Sequence, residues 1–249
     1  MKFFKKILDY STLYGLLSVL CLWWLLSIMV HSNVIPSPYE AITKFLFLFP
    51  TELWKHLAIS LYRIFLSLVI ALVIGVPLGL LCGLNTLMDR LLSPITYILY
   101  PLPKVAFLPL FMIFFGIGDA SKVTLMVSII VFQVFIAVRD GVREIPNSLF
   151  QSMHSLGLGP LDRLKHLIFP AMLPKLFSAL RVSLGISIAT LFFAENFATT
   201  YGIGYLVMNA WSMVDYSKMF AGIIGLSLMG LLLFQLIDLL ERKCCPWTK

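Results

Sequence analysis

Three charged side chains fall in or beside long apolar runs: Lys104, Arg181 and Glu195. An ionised group at membrane depth is costly, and one kept there faces a protein interior, a watery path or a partner. Two cations and one carboxylate would suit the passage of an anion. Each group also has a plainer explanation. Lys104 would snorkel, or pair with a carboxylate such as Glu195. Arg181 lies near the start of its run and would snorkel too. Glu195 stands before Tyr201-Gly202-Ile203-Gly204, where it would cap or gate. The four cysteines do not have the spacing of a metal site, and the four histidines fall at run ends or in loops. A G-x-x-x-x-G-K-[ST] phosphate loop is also missing. No cofactor, metal or nucleotide is therefore expected on this chain, and no catalytic centre.

These groups are set in an apolar polypeptide. Of 249 residues, 60% are hydrophobic and only 12% are Asp, Glu, Lys or Arg. A soluble fold of this size could not hide so much apolar surface, so the bilayer is the natural solvent. The net charge of +7 does not point to nucleic acid, because the basic residues are scattered among apolar runs.

A spanning helix needs roughly 20 mostly apolar residues. Six stretches qualify or nearly so: Leu13 to Val30, Ile64 to Gly83, Leu91 to Phe115, Val123 to Val138, Leu176 to Ala194 and Met219 to Ile237. With six spans, both tails and the loops after spans two and four share a side. That side collects twelve basic residues: Lys2, Lys5, Lys6, Arg90, Arg139, Arg143, Arg163, Lys165, Lys175, Arg242, Lys243 and Lys249. The other side collects five: Lys44, Lys55, Arg63, Lys122 and Lys218. The asymmetry places both tails in the cytoplasm. The apolar N-terminal run is too long, and lacks the cleavage site, for a removable signal peptide.

Two spans reveal how they pack. Gly75, Gly79 and Gly83 form a smooth stripe for close approach of another helix, within the protein or across a subunit interface, and Pro77 suggests a kink. The third span carries Pro94, Pro101, Pro103 and Pro109 and cannot be one straight helix. A broken helix at membrane depth must be buried in protein or line a cavity.

One segment is wet. "VRDGVREIPNSLFQSMHSLGLGPLDRLKHLIFPAMLPK" lies between spans four and five. It predicts a short helix over Ser148–Leu156, capped by Asn147 or Ser148, with Leu149, Phe150, Met153 and Leu156 on one face. Gly157 and Gly159 end that helix and Pro160 opens the next, whose apolar stripe is Leu161, Leu164 and Leu167-Ile168. Pro170 and Pro174 would close the segment. Each apolar face needs a partner, either the membrane surface or another protein.

The same segment resembles the EAA loop of ABC-importer permeases, which reads Glu-Ala-Ala, three residues, Gly, nine residues and Ile-x-Leu-Pro. The matching positions are Gln151-Ser152-Met153, Gly157 and Leu167-Ile168-Phe169-Pro170, with Gln-Ser-Met standing where the family has Glu-Ala-Ala. "PSPYEAITKF", "HLAISLYRI", "PLPKVAFLPLFMIFFGIGDASK" and "LRVSLGISIATLFFAENFATTYGIGYLV" are similar to segments of the branch that moves nitrate, sulfonates, taurine and thiamine-precursor pyrimidines.

The resemblance implies an all-α integral membrane protein with the type I ABC importer permease fold. It implies about six transmembrane helices in a single domain over 1–249, with a cytoplasmic coupling loop over about 139–175. Gln151, Ser152, Met153, Gly157, Leu167 and Pro170 would couple to separate ABC ATPase subunits, two in the assembly. A second permease copy, making a homodimer, and an external solute-binding protein touching Pro36 to Glu52 and Thr199 to Lys218 complete the implied partners. The implied setting is the bilayer of a bacterial inner membrane. Lys104, Arg181 and Glu195 remain the candidates for the pathway. The rival reading is an ATP-independent secondary transporter or channel, which would predict an inverted repeat. No such repeat is evident. An integral-membrane enzyme would instead cluster catalytic groups at membrane depth.

Overall fold

The computed structural model describes residues 10–30 and 34–248. Lys2, Lys5, Lys6, His31 and Lys249 lie outside the described residues. The described chain is helical throughout: α1 Tyr10–Val30, α2 Pro38–Leu48, α3 Trp54–Leu84, α4 Thr86–Leu99, α5 Leu108–Phe115, α6 Asp119–Arg143, α7 Asn147–Ser155, α8 Pro160–Arg163, α9 Phe169–Glu195, α10 Ile203–Ser212 and α11 Tyr216–Cys244. Wider π-helical turns, Phe49–Leu53 and Leu164–Ile168, join α2 to α3 and α8 to α9.

Among the described residues, four stretches are long and apolar enough to cross a membrane: Pro38–Leu84, Asp119–Arg143, Pro160–Glu195 and Tyr216–Cys244. The bent pair Thr86–Leu99 and Lys104–Phe115 makes five if it is one span, and Leu17–Val30 is a shorter apolar helix within the first expected span. The halves of the bent pair meet at 83°. Pro101 and Pro103 sit at the break, where no backbone donor is available to continue the helix. Pro94, by contrast, is accommodated inside α4.

Pro170 and Pro174 do not close the loop segment as expected. Pro174 lies inside α9, and the chain is helical from Pro160 onward. Proline at position 170 removes one donor, but the π-turn before it re-spaces the ladder: Phe169 N–H donates to the Leu164 carbonyl.

The core is centred on α6. It packs along α3 on one side and α9 on another, with Met126, Ile130, Val134 and Val138 fully buried. The glycine stripe makes the first contact possible, inside the protein: Gly75, Gly79 and Gly83 face Val134, Val138 and Val142. A Cβ at Gly79 would lie 2.7 Å from the Val138 Cβ and 2.8 Å from the Phe135 carbonyl oxygen. A backbone oxygen cannot rotate away. Gly79→Ala is therefore expected to lose roughly 1–3 kcal/mol through overpacking, outweighing a helix-propensity gain of about 1 kcal/mol. Thermal unfolding in detergent checks this. Gly15→Ala in α1, with nothing within 4 Å, is the uncrowded control and should show the propensity gain alone.

The segment expected as an outer loop, Thr199 to Lys218, is largely a buried helix. In α10, Ile203, Leu206, Val207 and Ala210 are covered by the core, and Gly222 of α11 lets Val207 approach. Trp211 stays exposed. The other expected outer segment is α2, closed at its start by a Ser37–Glu40 capping box. It is tied to α1 and α11 by Trp23, which donates to the Pro36 carbonyl at 3.1 Å and stacks on Phe220.

Candidate functional site

The structure does not bring Lys104, Arg181 and Glu195 together. None of the three is a partner of another among the described residues. Lys104 does not pair with Glu195. It donates to the carbonyls of Leu99 (3.2 Å) and Tyr100 (2.8 Å) at the helix break, and lies 4.8 Å over the Phe132 ring. Arg181 pairs with Asp238 at 2.7 Å and with Glu241, both on α11. Glu195 is fully buried and is the hub of a larger network.

That network is built on α3. His56, Ser60, Arg63 and Ser67 recur at helical spacing on one face, and all four are buried. Arg63 Nη1 donates to Glu195 Oε1 at 2.6 Å and to the Tyr201 carbonyl at 2.9 Å. Its Nε and Nη2 both donate to Asp119 Oδ1, at 2.8 and 2.6 Å. Ser60 Oγ donates to Glu195 Oε1 at 2.7 Å and accepts from the Ile203 N–H. Glu195 Oε2 accepts from the Gly204 N–H at 2.8 Å. His56 Nδ1 lies 2.9 Å from the Gly202 carbonyl oxygen and 3.1 Å from its nitrogen. Lys122, 1% exposed, donates to the Gly118 carbonyl at 3.2 Å. Gly202 has φ +141, and a Cβ there would strike the Glu195 carboxylate.

Arg63 thus bridges two carboxylates, Glu195 and Asp119, while Lys122 is buried on α6 and held by a backbone carbonyl. The formal charges balance, and both Glu195 oxygens and Asp119 Oδ1 have donors, which lets a largely buried ionic cluster persist. Chemically the arrangement is a lock: it ties the starts of α3 and α6, the end of α9 and the turn into α10. The Ser60 hydroxyl beside the Glu195 carboxylate is buried and already accepts from the Ile203 N–H. Sequence reasoning named Glu195 but missed Arg63, Asp119, Ser60 and His56. The signal was present in "HLAISLYRIFLS", as a polar stripe at positions 56, 60, 63 and 67 on an apolar helix.

The wet segment lies at the opposite end of α6, roughly 36 Å away by helix rise. The short helix is Asn147–Ser155, close to expectation, but Pro146 occupies the cap position, so neither Asn147 nor Ser148 caps it. Gly157 has φ +70; its N–H donates to the His154 carbonyl, and the Leu158 N–H donates to the Met153 carbonyl. This is a Schellman cap, and the left-handed residue it needs is a glycine. Phe150, Leu164 and Leu167 pack onto the core. Leu149, Leu156 and Leu161 remain 46%, 73% and 79% exposed. Gln151 and Ser152 are exposed, and Met153, Leu167 and Pro170 are half-buried.

Residues 75–244 match the family model described as "Binding-protein-dependent transport system inner membrane component". The chain belongs to this family. It is 33% identical to the taurine transport system permease protein TauC of Escherichia coli K12, across 96% of this chain and 89% of that protein. It is also 33% identical to the putative aliphatic sulfonates transport permease protein SsuC of Bacillus subtilis 168, across 88% and 80%. The nitrate import permease protein NrtB of Leptolyngbya laminosa is 28% identical, across 78% and 70%. Inward-facing structures of the MetNI methionine ABC transporter contain a chain that superposes with a TM-score of 0.61 at 20% identity, covering 80% of this chain and 96% of that one. The all-α fold expected of a type I ABC importer permease is therefore present. The protein is a multi-pass inner-membrane permease component, as its sequence implied.

Proposed function

We propose that the chain forms the translocation pathway of an ABC importer for a small anionic or zwitterionic solute of the sulfonate, taurine or nitrate type. Two separate ATPase subunits drive it, and an external binding protein supplies it. The chain itself binds no nucleotide, and two copies enclose the path. Both tails and Asn147–Ser155 face the cytoplasm, in line with the basic-residue asymmetry.

One observation carries the reading. A glycine-capped helix and the turns after it lie between two long spans, with Leu149, Leu156 and Leu161 exposed while Phe150, Leu164 and Leu167 pack on the core. Such an element docks in a partner's groove and passes the displacement to α6 and α9. Gln151, Ser152, Met153, Gly157, Leu167 and Pro170 occupy this element and its return to α9. The test is co-reconstitution with the cognate ATPase and binding protein. Hydrolysis stimulated by loaded binding protein should be abolished by Gly157→Pro, because proline cannot adopt φ +70. Membrane insertion should be unchanged. Full stimulation in the variant would exclude coupling through this element.

A further inference from the structure

Along α4, Asp89, Arg90, Ser93, Thr96, Tyr97 and Tyr100 recur at intervals of about three or four residues and so share a broad face. Apart from Thr86 at its start, the rest of the helix is apolar. A polar stripe on such a helix is stable only against protein or water, not against lipid. Here it lines an open cleft of about 510 Å³, bordered also by Ile136 and Arg139 of α6. That volume suits a small solute.

The acids of the cleft are occupied. Asp89 is held by Arg143 at 2.6 Å and lies 3.9 Å from Arg139. Arg139 takes Asp140 at 2.8 Å and Ser93 Oγ at 2.8 Å. Arg90 is exposed and has no ion pair or hydrogen bond from its side chain among the described residues. The hydroxyls of Tyr97 and Tyr100 are likewise without a hydrogen-bond partner among them. Arg90, Arg139 and Arg143 against Asp89 and Asp140 leave one positive charge in excess, and Arg90 and Arg139 both border the cleft.

We propose that this cleft is a transient site for a small oxyanion, a sulfonate or nitrate group. Arg90 is the counter-charge, and the Tyr97 and Tyr100 hydroxyls are donors. It lies on the half of the bundle nearest Asn147–Ser155, where solute would leave. The inference rests on the proposed import of an anionic solute and adds a place and a residue set to it. A lipid phosphate shares the same chemistry, so the experiment separates the two sources.

The full-length chain is placed in phosphatidylcholine nanodiscs, and methanesulfonate binding is read by saturation-transfer NMR on its methyl protons, with nitrate as competitor. The expected result is a saturable signal displaced by nitrate, weakened roughly fivefold or more in Arg90→Gln and kept in Arg90→Lys, as loss of one unit charge in a partly wet cleft implies. Arg90 has no partner to lose, so the variants should elute as the unchanged protein does. Absence of a saturable signal, or equal affinity in Arg90→Gln, overturns the proposal. So does loss of the signal when phosphatidylglycerol is added to the nanodisc, because the headgroup is then the occupant. ATP hydrolysis dependent on Gly157 is measured in parallel. If it persists while no anion binds, the cleft assignment alone fails; if it too is missing, the permease reading fails with it.

Discussion

Replacing Arg63 by methionine is expected to be the most damaging single change in the chain, at a cost of about 3–5 kcal/mol. Methionine fills much of the same volume, so the loss is electrostatic. Glu195, fully buried, would lose its paired cation, and Asp119 would lose both of its donors. The Tyr201 carbonyl would also lose the guanidinium. Removing the orphaned charge should recover most of the deficit. Arg63→Met with Glu195→Gln keeps an oxygen able to accept from the Gly204 N–H and leaves no buried anion without its partner. Thermal stability of the single and double variants in detergent measures both. A single variant within 1 kcal/mol of the parent, or a double variant no better than the single, would show that the cluster is not the lock described above.

The Arg63 cluster also marks where the sequence stopped being informative. Bilayer physics is local, so a run of apolar residues announces a span without knowledge of the rest of the fold. The spans after the first therefore fall where expected, as do the break at Pro101 and Pro103 and the packing of Gly75, Gly79 and Gly83. Their ends were less legible. Hydropathy alone began the second span at Ile64, whereas the helix begins at Trp54 and carries Arg63 inside it. Lys122, counted with the outer basic residues, is buried in the first turn of α6. The misplaced start has a cause: Arg63, neutralised by a distant carboxylate, reads as a boundary. Arg63 and Glu195 are 132 positions apart, and no local pattern couples them. The polar stripe of α3 gave the face but not the partner. α10 was missed because it is only 10 residues long, too short to read as a span, with Gly202 and Gly204 at its start. The loop motif was legible by spacing, and its glycine has the backbone angle the motif demands.

The second large effect is expected at the free helix, and it should be functional while stability stays unchanged. Leu149 and Leu156 are 46% and 73% exposed, so changing both to aspartate removes little contact within the chain. Exposed substitutions of this kind stay within about 0.5 kcal/mol. On the docking proposed for Asn147–Ser155, the same side chains enter an apolar groove of the ATPase. Each buried carboxylate without a partner there would cost at least ~1–3 kcal/mol. Two together predict weaker ATPase association by a factor of roughly 30 or more, since 1.4 kcal/mol is tenfold. Co-purification and concentration-dependent hydrolysis read the association, and detergent melting reads the fold. Phe150→Asp supplies the contrast. Phe150 packs against the core, so that change should lower stability before it lowers docking. If Leu149→Asp with Leu156→Asp binds the ATPase as the parent does, the exposed face belongs to lipid, and the transmission of work must enter the bundle elsewhere.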